Sequence, residues 1–312
     1  MVGLGGIGLF QRWKQEQDYQ AGHKAYLAAD CATAVGPLGS VAKGSSGSSG
    51  NDVELKARAE LQECEALLDA DDLATQGKHG DAVLAYSDIV TKYPRSPLKD
   101  AALARGRELI ATAPDKVATV SLCDALEALE AQGFVVGQPD PLPPLLFACG
   151  GAYEAADAHA DAVAIYARFR ADYPDHDLAA DVDVALARAT LAETENAEPL
   201  PPPGEGPGTG TAGVATIVIQ NDSPDPLSMV FSGPDIRVED LEACGECVKV
   251  AAAIHECRDP DQSPTAEYKV VPGVYEVVVK SGSGSNVIPF RGTWTLADGE
   301  VYASCFYISS GP

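Results

Sequence analysis

Cys244-Gly245-Glu246-Cys247 is the stretch of this sequence whose residue types and spacing could carry chemistry. A C-x-x-C pair holds two sulfurs within reach of one bond, so it can serve as a redox couple or as half of a zinc site, and His255, Cys257 and Cys305 could supply further ligands. A zinc site of the usual kind wants a second C-x-x-C pair, which the chain lacks. A redox pair wants a strand before it, a helix after it and a thiolate of low pKa, whereas Glu242 and Glu246 place negative charge beside the thiols and raise it. The balance favours structural disulfides, with metal binding and redox exchange as the alternatives.

Other motifs weaken on inspection. Gly3-Leu4-Gly5-Gly6-Ile7-Gly8 satisfies G-x-G-x-x-G, but only Met1 and Val2 precede it, too little for the strand a dinucleotide site requires. Asn221-Asp222-Ser223 fits the glycosylation sequon, a pattern short enough to arise by chance. Asp175, Asp177, Asp181 and Asp183 lack the calcium-loop spacing with its closing Glu and read as a solvated helix start. The five histidines show no nucleophile partner, and no nucleophile elbow, phosphate loop or metalloprotease helix is present. No catalytic residue, metal ligand set or cofactor is expected, and the chain reads as a non-enzyme.

Composition bounds the partners and the compartment. Lys and Arg number 22 against 46 Asp and Glu, a net charge of −24 spread along the 312 residues, which repels nucleic acid and anionic membrane. Eight cysteines, an even number, point to an oxidising, extracytoplasmic compartment, although a cytoplasmic one is not excluded. Residues 1–10 (MVGLGGIGLF) are apolar but half the length of a span; residues 1–14 read as the stub of a truncated membrane anchor, against which Arg12 and Lys14 cast a small vote.

The elements that must position these residues change character part-way along. Residues 15–195 carry apolar side chains at helical spacing throughout, an all-α half. Residues 79–94 match residues 159–174 at a constant offset of 80, and in each copy a small residue and aromatics form one helical stripe: Ala82, Tyr86, Ile89, Tyr93 and Ala162, Tyr166, Phe169, Tyr173. Pro94 and Pro174 stop each helix; Ser96 and Asp177 can cap the next. With Gly77, Ala82, Tyr86, Tyr93-Pro94 and Ser96 in place, the run resembles the second helix of tetratricopeptide repeats of the cell-envelope type. The family's Trp and its Leu-Gly pair are absent, and 80 residues for two units exceed the usual period of about 34. The resemblance implies a solenoid of helical hairpins, near 17–42, 53–93, 97–132 and 143–173 with a closing helix at 177–195, that binds a protein or peptide.

Residues 44–50 (GSSGSSG) read as a loop that resembles an engineered linker, and residues 196–213, rich in Pro and Gly, as a linker between domains. Beyond it the period turns to two: 215–220, 227–231, 268–271, 274–280, 293–296 and 301–308 are predicted strands of a small β-sandwich over residues 214–312. Val271-Pro272-Gly273-Val274-Tyr275-Glu276-Val277, followed by Leu296-Ala297-Asp298-Gly299, is similar to the hairpins of PEGA-type surface domains. The expected fold class is therefore α + β in separate domains. A cell-wall polymer is a second partner class, for which Trp294, Tyr302 and Tyr307 would have to be exposed together.

Helix counting pairs the remaining cysteines. Cys31 and Cys64 each stand 11 residues from the loop between their helices, and Cys123 and Cys149 stand eight and six from theirs, so each pair sits at one height in antiparallel neighbours at ~1.5 Å per residue. Cys244, Cys247, Cys257 and Cys305 should make two further bridges, with three connectivities open.

Overall fold

The structure is a computed structural model that describes residues 4–43, 52–250, 257–282 and 287–308, with side chains from Arg12 onward in the first segment. The serine-glycine loop 44–50, Gly3 and His255 lie outside the described residues. Contacts divide the chain into two compact units, residues 1–152 and 153–312.

Unit 1 is built of helices. α1 (Leu4–Leu27) and α2 (Cys31–Ala42), then α3 (Asp52–Thr75) and α4 (His79–Lys92), pack as hairpins, and α2 also packs on α3. The apolar stripe expected of a helix face decides what is covered: Ala57, Cys64, Leu67 and Ala70 of α3 and Ala82, Tyr86 and Ile89 of α4 are buried. Tyr93, expected in the same stripe, is the cap residue after α4 and only half-buried. α5 (Lys99–Thr112) begins a third hairpin whose return arm is broken into α6 (Pro114–Val117), α7 (Val120–Asp124) and α8 (Leu126–Gln132). Pro114 cannot continue α5, and the Thr119 hydroxyl caps α7 by accepting from Leu122 N. Gly106 lets this arm close: a Cβ there would stand 2.4 Å from a ring carbon of the buried Phe134. The helix α9 (Leu142–Ala155) spans the division between the units.

At the N-terminus the structure agrees with the rejection of the G-x-G-x-x-G motif and departs from one expected boundary. Gly5, Gly6 and Gly8 lie inside α1, not on a turn after a strand, so no phosphate loop forms. The expected boundary between residues 14 and 15 falls within the same unbroken helix, and no helix of the described residues is long and apolar enough to cross a membrane.

Among its described residues, unit 2 joins α10 (His159–Asp172) and α11 (Ala179–Glu193) to nine strands: β1 (Glu198–Pro199), β2 (Gly204–Glu205), β3 (Ala215–Asn221), β4 (Leu227–Ser232), β5 (Ile236–Leu241), β6 (Thr265–Val270), β7 (Gly273–Ser281), β8 (Phe290–Leu296) and β9 (Val301–Phe306). One sheet has the order β1-β8-β7-β4-β5, the other β2-β9-β3-β6, with β3 parallel to β9 and β1 parallel to β8. Ile217 and Ile219 of β3, Met229 and Phe231 of β4, Tyr275 and Val277 of β7 and Trp294 of β8 share one core. Alternation sends Val230 of β4 to the opposite face, yet it is buried too, and α11 packs on β4 and β5.

Helices and strands are thus not segregated as the sequence suggested: the chain is α + β, but its last two helices belong with the sheets. Nor do residues 196–213 run as a free linker. Glu198 pairs with Phe290, Gly204 with Ala303, Leu200 is buried, and Trp294 Nε1 donates to Pro201 O at 2.9 Å. A proline-rich segment has few amide donors of its own, but its carbonyls still accept, and here a buried indole uses one.

Candidate functional site

The sequence repeat has a repeated side-chain cluster. Tyr86 Oη of α4 donates to Asp71 of α3 at 2.7 Å, and Arg105 of α5 donates to the other oxygen of the same carboxylate at 2.5 Å. In unit 2, Tyr166 Oη of α10 donates to Glu154 of α9 at 2.7 Å, and Arg188 of α11 grips that carboxylate with Nε at 2.6 Å and Nη2 at 2.7 Å. Each clasp ties three consecutive helices through one acid. Burial and then the bond to the acid hold both phenols far above their ordinary pKa, so neither is available as a proton donor to solvent chemistry. The turns match as well: Ala29, Gly77 and Asp157 all take a left-handed conformation, and the next amide in each case reaches back five residues, to Ala25 O, Leu73 O and Tyr153 O. α5 and α11 start from Leu98 and Leu178 with no side-chain cap, unlike the caps expected of Ser96 and Asp177; just upstream, the Ser96 hydroxyl accepts from Leu98 N and Nδ1 of His176 accepts from Leu178 N. His79 and His159 open α4 and α10. Tyr173, like Tyr93, is a half-buried cap residue, while Ala162, Tyr166 and Phe169 are buried.

Unit 2 contains a groove of about 990 Å³ bounded by α10, α11, β4, β5 and β7. Its α10 wall is made of short side chains, Ala160, Val163, Ala164 and Ala167, which leave the volume open. Arg170 crosses its end: Nε meets Asp183 at 2.8 Å, Nη1 meets Asp240 at 3.0 Å and Nη2 donates to Val238 O at 2.8 Å. Lys280 is paired with Glu193 at 2.5 Å. These cations are neutralised within the chain, so the groove offers apolar surface and a paired polar rim, a character suited to a peptide segment.

The C-x-x-C pair stands on a buried polar platform. Asn221 Nδ2 donates to Asp225 O and Glu242 O, Cys244 N donates to Ser223 O at 3.0 Å, and Asp222 Oδ2 accepts from Arg258 N at 2.8 Å. Asn221, Asp222 and Ser223 are almost wholly buried, so the sequon is a structural element and no acceptor for glycan. Cys244 bonds Cys247, with Cα atoms 5.2 Å apart, and Cys257 bonds Cys305 at 6.1 Å. Cys31 bonds Cys64 at 5.0 Å and Cys123 bonds Cys149 at 5.6 Å, both inside the ~7 Å reach of a disulfide. All eight cysteines are consumed, and among the described residues no group of three His, Cys, Asp or Glu could hold a metal ion.

No model of a known protein family matches this chain, and no curated protein matches it. Its function must therefore be argued from its own geometry. Of the three aromatics that a sugar-stacking platform would need exposed, Trp294 is fully buried, while Tyr302, whose hydroxyl accepts from Ala297 N, and Tyr307 are half-buried. Sequence reasoning missed Arg170 and Asp240 of the groove and Arg258 beside the sulfurs, and it read Asp183, which pairs with Arg170, only as part of a solvated helix start. Each meets its partners across ten or more intervening positions, so no local spacing announces them.

Two carboxylates of unit 2 respond to pH in opposite senses. Burial works to raise Glu154, but the bonds from Arg188 and Tyr166 outweigh it and hold the acid below its usual range. Such a group stabilises the fold above its unfolded pKa, and that contribution is lost as pH falls through the lower folded value. Asp183 is raised, by burial first and by Asp240 in addition, against the pull of Arg170; its ionised form therefore costs stability, which returns as pH falls through the raised value. Glu154→Gln is expected to lose about 1–2 kcal/mol at neutral pH and little under acid conditions. Asp183→Asn is expected to gain stability at neutral pH and nothing under acid conditions. Urea midpoints of both variants at pH 7 and at about pH 3 check this; a loss for Glu154→Gln that is equal at both pH values would contradict the assignment.

Proposed function

We propose that this chain is a non-catalytic, protein-binding scaffold of an oxidising, extracytoplasmic compartment, in which a TPR-like solenoid of helical hairpins is followed by a β-sandwich module. The observation that carries this reading is the repeated clasp: Tyr86–Asp71–Arg105 and Tyr166–Glu154–Arg188 fix successive helices in the same way, as a stack of equivalent hairpins requires. Equivalent hairpins generate surface rather than a catalytic pocket. Four disulfides are compatible with the compartment, because a reducing cytosol would open them. The occupant proposed for the groove is an extended or helical peptide segment of a protein partner, seated on the alanine wall of α10. A partner of net positive charge is favoured by the long-range field of a chain carrying −24. A cell-wall polymer, the alternative partner class, is less supported, because Trp294, one of the three aromatics it calls for, is buried.

A selection of displayed peptides on the full-length protein tests the proposal. Peptides recovered on the wild type should lose at least tenfold in affinity when Ala167→Trp fills the groove, since one misplaced indole removes the apolar contact, and should keep it when the exposed Leu55 of α3 is changed to Lys. Recovery of the same peptides at equal affinity on Ala167→Trp would overturn the groove as the binding surface.

A further inference from the structure

We infer that the Cys244–Cys247 disulfide is a site of thiol–disulfide exchange, with Arg258 holding the Cys247 sulfur as a thiolate once the pair is reduced. The inference is independent of the scaffold reading and rests on different residues. Nη1 of Arg258 stands 3.1 Å from Cys247 Sγ and 3.8 Å from Cys244 Sγ, so one guanidinium addresses both sulfurs. This placement is built. The Arg258 amide is fixed by the buried Asp222 carboxylate, its carbonyl accepts from Gln220 Nε2 at 2.8 Å, and Gln220 Nε2 also donates to Asp222 at 2.7 Å. A guanidinium beside a sulfur does nothing for a permanent disulfide, whose sulfurs carry no charge. It matters only when one of them becomes an anion.

The two sulfurs have different surroundings, and these assign their roles. Gln262 O lies 3.9 Å from Cys244 Sγ, where a thiol at Cys244 would find an acceptor for its proton, while Ser263 Oγ is shared, 3.9 Å from Cys244 Sγ and 4.0 Å from Cys247 Sγ. Both sulfurs are buried, Cys247 at 8% less deeply than Cys244 at 2%, and the exposed Gly245 between them has nothing within 4 Å of where a Cβ would stand. Glu246 and Glu242 are exposed on the same segment and carry the opposing charge, but neither has a guanidinium's contact with sulfur.

The reaction is the oxidation of a partner dithiol. A partner thiolate attacks Cys247 Sγ, the Cys244–Cys247 bond breaks, and Cys244 leaves as a thiolate that takes up a proton. The second partner thiolate then attacks its own sulfur in the mixed disulfide and expels Cys247 as a thiolate facing Arg258. Two electrons pass from the partner dithiol, which ends as a disulfide, to the cysteine pair, which ends as a dithiol.

The remaining disulfides supply the controls. Cys31–Cys64 and Cys123–Cys149 are buried, whereas Cys257 is exposed and Cys305 half-buried, so if accessibility alone governed reactivity Cys257–Cys305 would open first. The full-length native protein is equilibrated in glutathione buffers of graded ratio, quenched with N-ethylmaleimide, and the four pairs are scored by peptide mass spectrometry. Cys244 and Cys247 are expected to be labelled first and together. In Arg258→Gln the equilibrium should shift about tenfold towards the disulfide, the effect of one unit in thiol pKa, while Arg258→Lys should restore most of it and both variants should keep the wild-type circular dichroism. Opening of Cys257–Cys305 ahead of Cys244–Cys247, or a shift under twofold in Arg258→Gln, would overturn the inference and leave the pair as a structural clip.

Discussion

Trp294→Ala is expected to cost unit 2 about 3–5 kcal/mol, the largest effect of any single substitution in its sheets. The indole is fully buried and meets Phe231 edge-on with centroids 6.1 Å apart, in a core to which both sheets contribute. Alanine removes that contact area and leaves a cavity between layers that β-sheet hydrogen bonding keeps from collapsing. It also removes the donor to Pro201 O, which is the fastening of a segment that has few donors of its own. Gly292, in the same strand, lies so close to Leu200 that any Cβ would collide with the Leu200 carbonyl, and the segment can seat there only while β8 holds its place. Trp294→Phe should therefore keep most of the packing and lose about 1–2 kcal/mol, with the unfastened segment made visible by faster cleavage around residues 198–206. Urea unfolding followed by circular dichroism, together with limited proteolysis, measures both. A Trp294→Ala protein with the wild-type midpoint and the wild-type cleavage pattern would show that the indole neither supports the core nor fastens the segment.

The second large effect is expected from Cys31→Ala with Cys64→Ala, at roughly 3.5–4 kcal/mol. The bridge joins residues 33 apart, and restricting a loop of that length in the unfolded chain is worth that much. It links α2 to α3, the helices on either side of the glycine-serine stretch. Both side chains are buried, as are Ala34 and Leu38 of α2 and Ala57 and Leu67 of α3, and alanine in their place adds a small packing loss. The double variant should unfold at a lower urea concentration than the wild type under non-reducing conditions, and reduction should bring the wild type to the same midpoint. A difference below about 1 kcal/mol would mean that the two sulfurs act only as small apolar filling.

The pairing of Cys31 with Cys64 and of Cys123 with Cys149 was legible because helices impose a ruler. A rise fixed by backbone hydrogen bonding turns sequence distance from a loop into height, and equal heights on neighbouring helices meet. No such ruler exists for Cys244, Cys247 and Cys257, which lie outside helices and strands, or for their possible partner Cys305 in β9, and three connectivities stayed open until the fold selected one. The strand β5 went unread for a related reason: Ile236-Arg237-Val238-Glu239-Asp240-Leu241 has the right alternation but carries charge, and its place is secured by pairing with β4.

By itself the sequence determined the helical and strand halves, the stripes of Ala82, Tyr86, Ala162 and Tyr166, and the two interhelical bridges, because each of these follows from a local period repeated along the chain. Tertiary structure decided the rest. It placed α10 and α11 with the sheets, since Met229-Val230-Phe231 and Val277-Val278-Val279 are apolar on both faces and a second layer had to cover the outer one. It turned a proline-rich segment into two short strands by offering carbonyl partners and a buried indole. It brought Arg170 to Asp240 and Arg258 to Cys247, contacts that only folding can make because charge and sulfur meet there through space and not through spacing.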